Sequence, residues 1–95
     1  MKKPLAIDAE VMGRLRGLSK AERVECLQTL CDLCDAFGRP HVHGGSGIRK
    51  LGGHLFECRV NLQLRFVFFD RADSLYVRLL GNHDEVREFL KGAKR

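Results

Sequence analysis

Between His54 and Leu80 the chain alternates apolar and polar residues with the two-residue period of a half-buried β-strand, and it does so three times in succession. In His54–Val60, the residues Phe56, Cys58 and Val60 fall on one side and Leu55, Glu57 and Arg59 on the other. Leu64–Phe69 sets Leu64, Phe66 and Phe68 against Arg65, Val67 and Phe69, and Ser74–Leu80 sets Leu75, Val77 and Leu79 against Tyr76, Arg78 and Leu80. The segments between them, Asn61–Gln63 and Arg71–Asp73, have hairpin length, so neighbouring runs should pair as an antiparallel meander. Such a sheet would gather Glu57, Arg59, Arg65, Tyr76 and Arg78 on one face and bury the other, which the rest of the chain must cover.

The cover is legible upstream. Pro4–Ile7 reads as a short edge strand or as the lead-in to a helix that Asp8 caps, with Val11, Met12, Leu15 and Leu18 at helical spacing. Gly13 and Gly17 weaken that helix by up to about 1 kcal/mol each, so packing must hold it. Ser19–Glu22 is a capping box that starts a second helix carrying Val24, Leu27, Leu30, Cys31, Cys34 and Phe37 on its apolar face. Gly38 and Pro40 end it. A Gly- and His-rich loop over residues 39–53 follows, in which Ile48–Leu51 reads as already extended. After the meander, Asn82 and Glu85 cap a short terminal helix whose apolar edge is Val86, Phe89 and Leu90. The expected architecture is therefore α+β over a single domain, residues 1–95: a small antiparallel sheet covered on one face by two N-terminal helices, with a short C-terminal helix.

Seventeen Lys and Arg against twelve Asp and Glu give a net charge of +5, which favours anionic partners. No apolar run approaches the roughly 18 residues of a membrane span, and Asp8 and Glu10 interrupt the N-terminus before the apolar core of a signal peptide develops. The expectation is a cytoplasmic protein with no membrane partner.

The spacing Cys26-x4-Cys31-x2-Cys34, with Cys58 downstream, matches that of plant-type iron–sulfur ligands. Those ligands need an irregular loop, whereas three of these lie in a periodic helix and Cys58 lies on the apolar side of a strand, so the reading is reduced, buried cysteine. His41, His43 and His54 lack a nearby cysteine or carboxylate to complete a zinc site, and Gly44–Gly47 lacks the Lys-Ser/Thr ending of a phosphate-binding loop. No metal and no cofactor is expected. The polar sheet face carries the chemistry: arginines interleaved with Leu55, Val67, Phe69, Tyr76 and Leu80 suit phosphates and stacked bases, and His83 follows the last strand closely enough to lean over them.

The order of helix pair, glycine loop and meander, with Leu51–Val60, the Arg65–Phe68 strand and Leu80–Val86, resembles the RelE/ParE toxin superfamily over roughly residues 8–90. The resemblance implies the RelE-like fold and the toxin of a type II toxin–antitoxin pair. Its ribosome-dependent members cleave messenger RNA by attack of the ribose 2′-hydroxyl on the adjacent phosphate. Arg59 and Arg65 match the phosphate-binding positions, and His83 matches the C-terminal histidine of the YoeB-like branch. That branch has a carboxylate where this chain has Ser46 and its glycines, and ends in Arg-x-His-Tyr where this chain reads Gly81–Asp84. Glu57 is the candidate replacement base. Arg49, Lys50, Tyr76 and Arg78 are the candidate substrate-binding residues. The expected partners are a cognate antitoxin, the ribosome and messenger RNA; the alternatives are a non-catalytic or gyrase-inhibiting ParE-like toxin and a small RNA-binding domain.

Overall fold

The computed structural model describes residues 3–37 and 47–93. Its elements run β1 (Leu5–Ile7), α1 (Ala9–Gly17), α2 (Lys20–Ala36), β2 (Ile48–Gly52), β3 (Leu55–Arg59), β4 (Arg65–Asp70), β5 (Leu75–Gly81) and α3 (His83–Ala93). The strands form one sheet in the order β1-β5-β4-β3-β2, with β1 parallel to β5 and every other pair antiparallel. The meander is thus present and is extended at both edges: by β1, the N-terminal segment, and by β2, the extended Ile48–Leu51 segment. Gly38, Pro40 and the His41–Ser46 stretch, including the His41 and His43 readings, lie outside the described residues.

Each helix starts where its cap chemistry places it. The Asp8 carboxylate accepts the Glu10 N–H at 2.9 Å, and the Ser19 hydroxyl accepts the Glu22 N–H at 3.2 Å. At α3 the box is reciprocal, because the Glu85 N–H donates to Asn82 Oδ1 at 2.9 Å while the Asn82 N–H donates to Glu85 Oε1 at 3.0 Å. Gly81 has to be glycine for this: a Cβ there would lie 2.9 Å from the Cβ of Glu85.

The first face of the sheet is the core. Phe66 and Phe68 are fully buried, packed with Cys58, Leu64, Leu75 and Val77 beneath Val11 and Leu15 of α1 and Cys26, Leu30 and Leu33 of α2. Phe37 closes one side, standing edge-on to Phe56 and Phe68 at 5.1 and 5.5 Å.

Several sequence expectations are corrected. The buried stripe of α2 is Cys26, Leu30, Leu33 and Ala36, so the helix is rotated from the face expected: Val24 and Leu27 are half exposed, at 58% and 50%, and Cys31 faces solvent. In β5 Leu79 and Leu80 exchange sides. Val67 pairs with Leu79 but Phe68 pairs with Val77, leaving Arg78 as a bulge residue that shifts the alternation and sends Leu80 into the core. Finally, α3 does not join the cover of the first face. It packs on β4 and β5, where Val67, pointing away from Phe66 and Phe68, is fully buried and Val86 nearly so. The second face is therefore half roofed by a helix and half open.

Candidate nucleic-acid interface

Residue pairing across the second face runs in rows. Arg49, Glu57, Val67 and Leu79 are successive partners in one row, Arg59 and Arg65 face each other in the next, and Arg65 is in turn opposite Gly81. The Arg59–Arg65 row lies at the end of the sheet where β5 turns into α3, so His83 begins its helix two residues beyond the partner of Arg65. His83 is exposed there.

A buried carboxylate organises the arginines. The Glu57 side chain is 5% exposed and accepts from two guanidiniums: Arg49 Nη2 at 3.0 Å and Arg65 Nη1 at 3.3 and 3.4 Å. Arg65 is held down, 16% exposed, whereas Arg49 remains 69% exposed and bridges from the sheet edge. A buried carboxylate requires such partners, since an unpaired charge inside costs several kcal/mol. Among the described residues no carboxylate pairs with Arg59, and the Arg65 Nε–H has no acceptor. Two arginines, one of them without an acid of its own, thus flank a cleft of about 320 Å³ lined by Gly47, Ile48, Arg49, Glu57, Arg59 and Arg65. Guanidiniums so placed can take a phosphate through paired N–H donors.

Gly47 shapes that cleft, and the sequence alone does not single it out. Its φ is +73°, a Cβ would lie 3.4 Å from that of Arg59, and its carbonyl accepts the Arg59 N–H at 3.2 Å. One glycine of the run just before β2 is thereby tied to a site arginine; the available signal was a glycine directly before a strand.

The remaining expected site residues are placed elsewhere. Lys50 pairs with Phe56 and so belongs to the first face, away from Arg49 and Glu57. Tyr76 donates its hydroxyl to Asp8, and its ring carries the Arg71 guanidinium 4.2 Å from the centroid. That hydrogen bond, with the Glu10 N–H and the nearby Arg78, holds the Asp8 carboxyl below its ordinary pKa, and the same bond raises Tyr76 above its own. Arg78 reaches Glu10 at 3.5 Å and Asp8 at 4.0 Å, with its guanidinium 5.7 Å from the Phe89 ring. These contacts tie β5 to the start of α1 and to α3. The structure brings together Arg49, Glu57, Arg59 and Arg65, sets His83 at the same end of the sheet, and separates Lys50, Tyr76 and Arg78 from them.

The cysteines diverge. Cys26 and Cys58 sit in the core, where burial pushes each thiol up to about 11, while Cys31 is exposed. Among the described residues no three His, Cys, Asp or Glu side chains are grouped to hold a metal, and no helix is long and apolar enough to cross a membrane.

This architecture, a helix pair over a mostly antiparallel five-stranded sheet with a terminal helix on the far side, is the RelE-like fold. It superposes on the archaeal RelE–RelB complex of Pyrococcus horikoshii with a TM-score of 0.69 at 19% identity, over 86% of this chain and 96% of that one. The YoeB–YefM complex of Staphylococcus aureus gives 0.62 at 13% identity, over 87% and 99%. A conserved hypothetical protein of Helicobacter pylori gives 0.56 at 20% identity, over 90% and 99%. No protein-family model matches the chain, and no curated protein matches its sequence. The likeness is one of fold.

Proposed function

We propose that the chain is the toxin of a type II toxin–antitoxin pair and that it cleaves messenger RNA in the ribosome. The observation that carries this reading is the facing pair Arg59 and Arg65 at one end of the sheet, with Glu57 anchoring Arg65 while Arg59 has no acidic partner among the described residues. Fold neighbours held in RelE–RelB and YoeB–YefM complexes support a cognate antitoxin as the protein partner.

In the proposed reaction the ribose 2′-oxygen forms a bond to the adjacent phosphorus as the bond to the 5′-oxygen breaks. Negative charge grows on the phosphoryl oxygens, and arginines already held in place stabilise it without reorganising. The proton of the 2′-hydroxyl must leave and the 5′-oxygen must gain one, which is work for a side chain such as His83. Glu57 acts in this scheme by positioning Arg65 rather than by taking a proton, because its carboxylate is buried beneath two guanidiniums.

That last point also favours a second reading, a phosphate-binding module without cleavage, since among the described residues His83 is then left to both proton removal and proton delivery. Purified protein added to a translating lysate separates the two. Cleavage of messenger RNA mapped by primer extension, diminished in Arg65→Lys and His83→Ala, is the expected result. RNA binding with intact messenger, or neither binding nor cleavage, would overturn the ribonuclease reading.

A further inference from the structure

The opposite end of the second face carries a feature that the phosphate chemistry does not use. Leu55, Phe69 and Tyr76 form one row across β3, β4 and β5, on the same face as Arg65. Phe69 is four residues along β4 from Arg65, about 13 Å at the rise of an extended strand. Here the rings of Phe69 and Tyr76 lie nearly parallel, 23° apart with centroids at 6.3 Å, and the Arg71 guanidinium continues the stack over Tyr76. Phe69 also forms a wall of a cleft of about 590 Å³ whose other walls include Lys3, His54, Asp70 and Arg71, a volume in the range of small-ligand sites.

Its lysine and its acid are already paired, and its arginine lies flat on a ring. Lys3 Nζ donates to Asp70 at 2.5 Å and to the Arg71 carbonyl at 2.8 Å, and the Arg71 guanidinium rests on an aromatic ring. A site with π-surface, a paired lysine and an arginine plane laid on a ring suits a nucleobase, whereas the Arg59–Arg65 end suits a phosphate. Aromatic rings and stacked arginine planes are how single-stranded RNA is held without regard to its sequence.

We propose that the Phe69–Arg71 cleft stacks a base of single-stranded RNA whose backbone runs along β3, past Leu55, to the Arg59–Arg65 pair. This rests on the RNA reading above and adds a second, base-directed contact to it. α3 stands over β4 and β5, so the strand follows the other half of the face.

Fluorescence anisotropy with a labelled dinucleotide and a labelled octanucleotide tests it on purified protein. Phe69→Ala should weaken octanucleotide binding by at least about fivefold, leave dinucleotide binding unchanged, and be rescued by Phe69→Trp. Arg71→Ala, at an exposed position, should give a smaller loss in the same pattern and carries the test if Phe69→Ala fails to fold. Equal effects on both lengths, or none on the octanucleotide, would overturn the proposal. Arg59→Gln separates the two inferences: it should weaken both oligonucleotides, and if it does so while the Phe69 and Arg71 variants bind normally, only the base-stacking site falls. If the wild-type protein binds neither RNA, the base-stacking site falls, while the ribosomal reading stands or falls on the lysate experiment.

Discussion

Arg65 and Arg78 leave the sheet on the same side, from neighbouring strands, and both have acidic partners, yet they are built differently. Arg65 sits on a buried carboxylate that it shares with Arg49, has a facing arginine with no acid of its own, and opens onto a cleft. Arg78 occupies a bulge, reaches Asp8 and Glu10 at the start of α1, and lies beside Phe89 of α3. The first arrangement accumulates positive charge against one acid. The second spreads one arginine over two acids, although Arg78 is the more exposed of the two, at 31% against 16%, and lines a smaller cleft of about 150 Å³. What separates a ligand site from a fastening is thus the local balance of charge, which the count of arginines on the face does not reveal.

The largest effect expected of any substitution lies outside both clusters and sets their scale. Phe66→Ala, at a fully buried position, should cost about 3–5 kcal/mol in chemical denaturation, and Arg78→Ala much less because its contacts are half exposed. Equal losses would make Arg78 a keystone of the fold and remove the contrast with the core.

Next come the acids beneath the two arginines. Glu57→Ala should cost about 2–3 kcal/mol, because it leaves the largely buried Arg65 guanidinium without its counter-charge. Glu10→Ala, removing a mostly exposed partner of Arg78, should fall within about 0.5 kcal/mol. Similar values for both would mean that Glu57 is no anchor.

A smaller effect sharpens the fastening side. Arg14 Nη1 and Nη2 donate to the two Glu85 oxygens at 2.8 and 3.0 Å, linking α1 to α3. The Arg14 guanidinium, with the Asn82 N–H, holds the Glu85 carboxyl below its ordinary value. A carboxyl whose folded value is depressed contributes its stability in full above its unfolded value, about 4.3, and loses it as pH falls through the lower folded one. Melting temperatures followed below pH 5 should therefore drop less steeply in Glu85→Gln than in the wild type; parallel curves would show that the pair adds nothing.

The sequence made one side of this contrast legible. Strict alternation in β3 and β4 leaves a single register that buries Phe66 and Phe68, and that register alone sets Arg59 opposite Arg65. The doublet Leu79–Leu80 supports two registers equally well, so the bulge at Arg78 is decided by pairing with β4 and not by local pattern. Helix α2 carries apolar residues around most of its circumference, including Val24, Leu27, Leu30, Cys31 and Leu33, and only packing against the sheet selects Cys26, Leu30 and Leu33. The burial of Glu57 depends on Arg49 arriving from β2, across a connection whose course no periodicity dictates. Val67, apolar between Arg65 and Phe69 on the same face, was the available sign that a helix would cover part of that side.

The most direct test of the contrast removes one positive charge from each region in turn. Arg59→Gln and Arg78→Gln change net charge equally, so any general electrostatic attraction to RNA falls alike in both. Affinity for a single-stranded RNA oligonucleotide, measured across a range of salt concentrations, should drop markedly for Arg59→Gln, with a shallower salt dependence, and stay near wild type for Arg78→Gln. Equal losses from the two substitutions would show that the face attracts RNA only through its overall charge, and that the Arg59–Arg65 pair is no phosphate site.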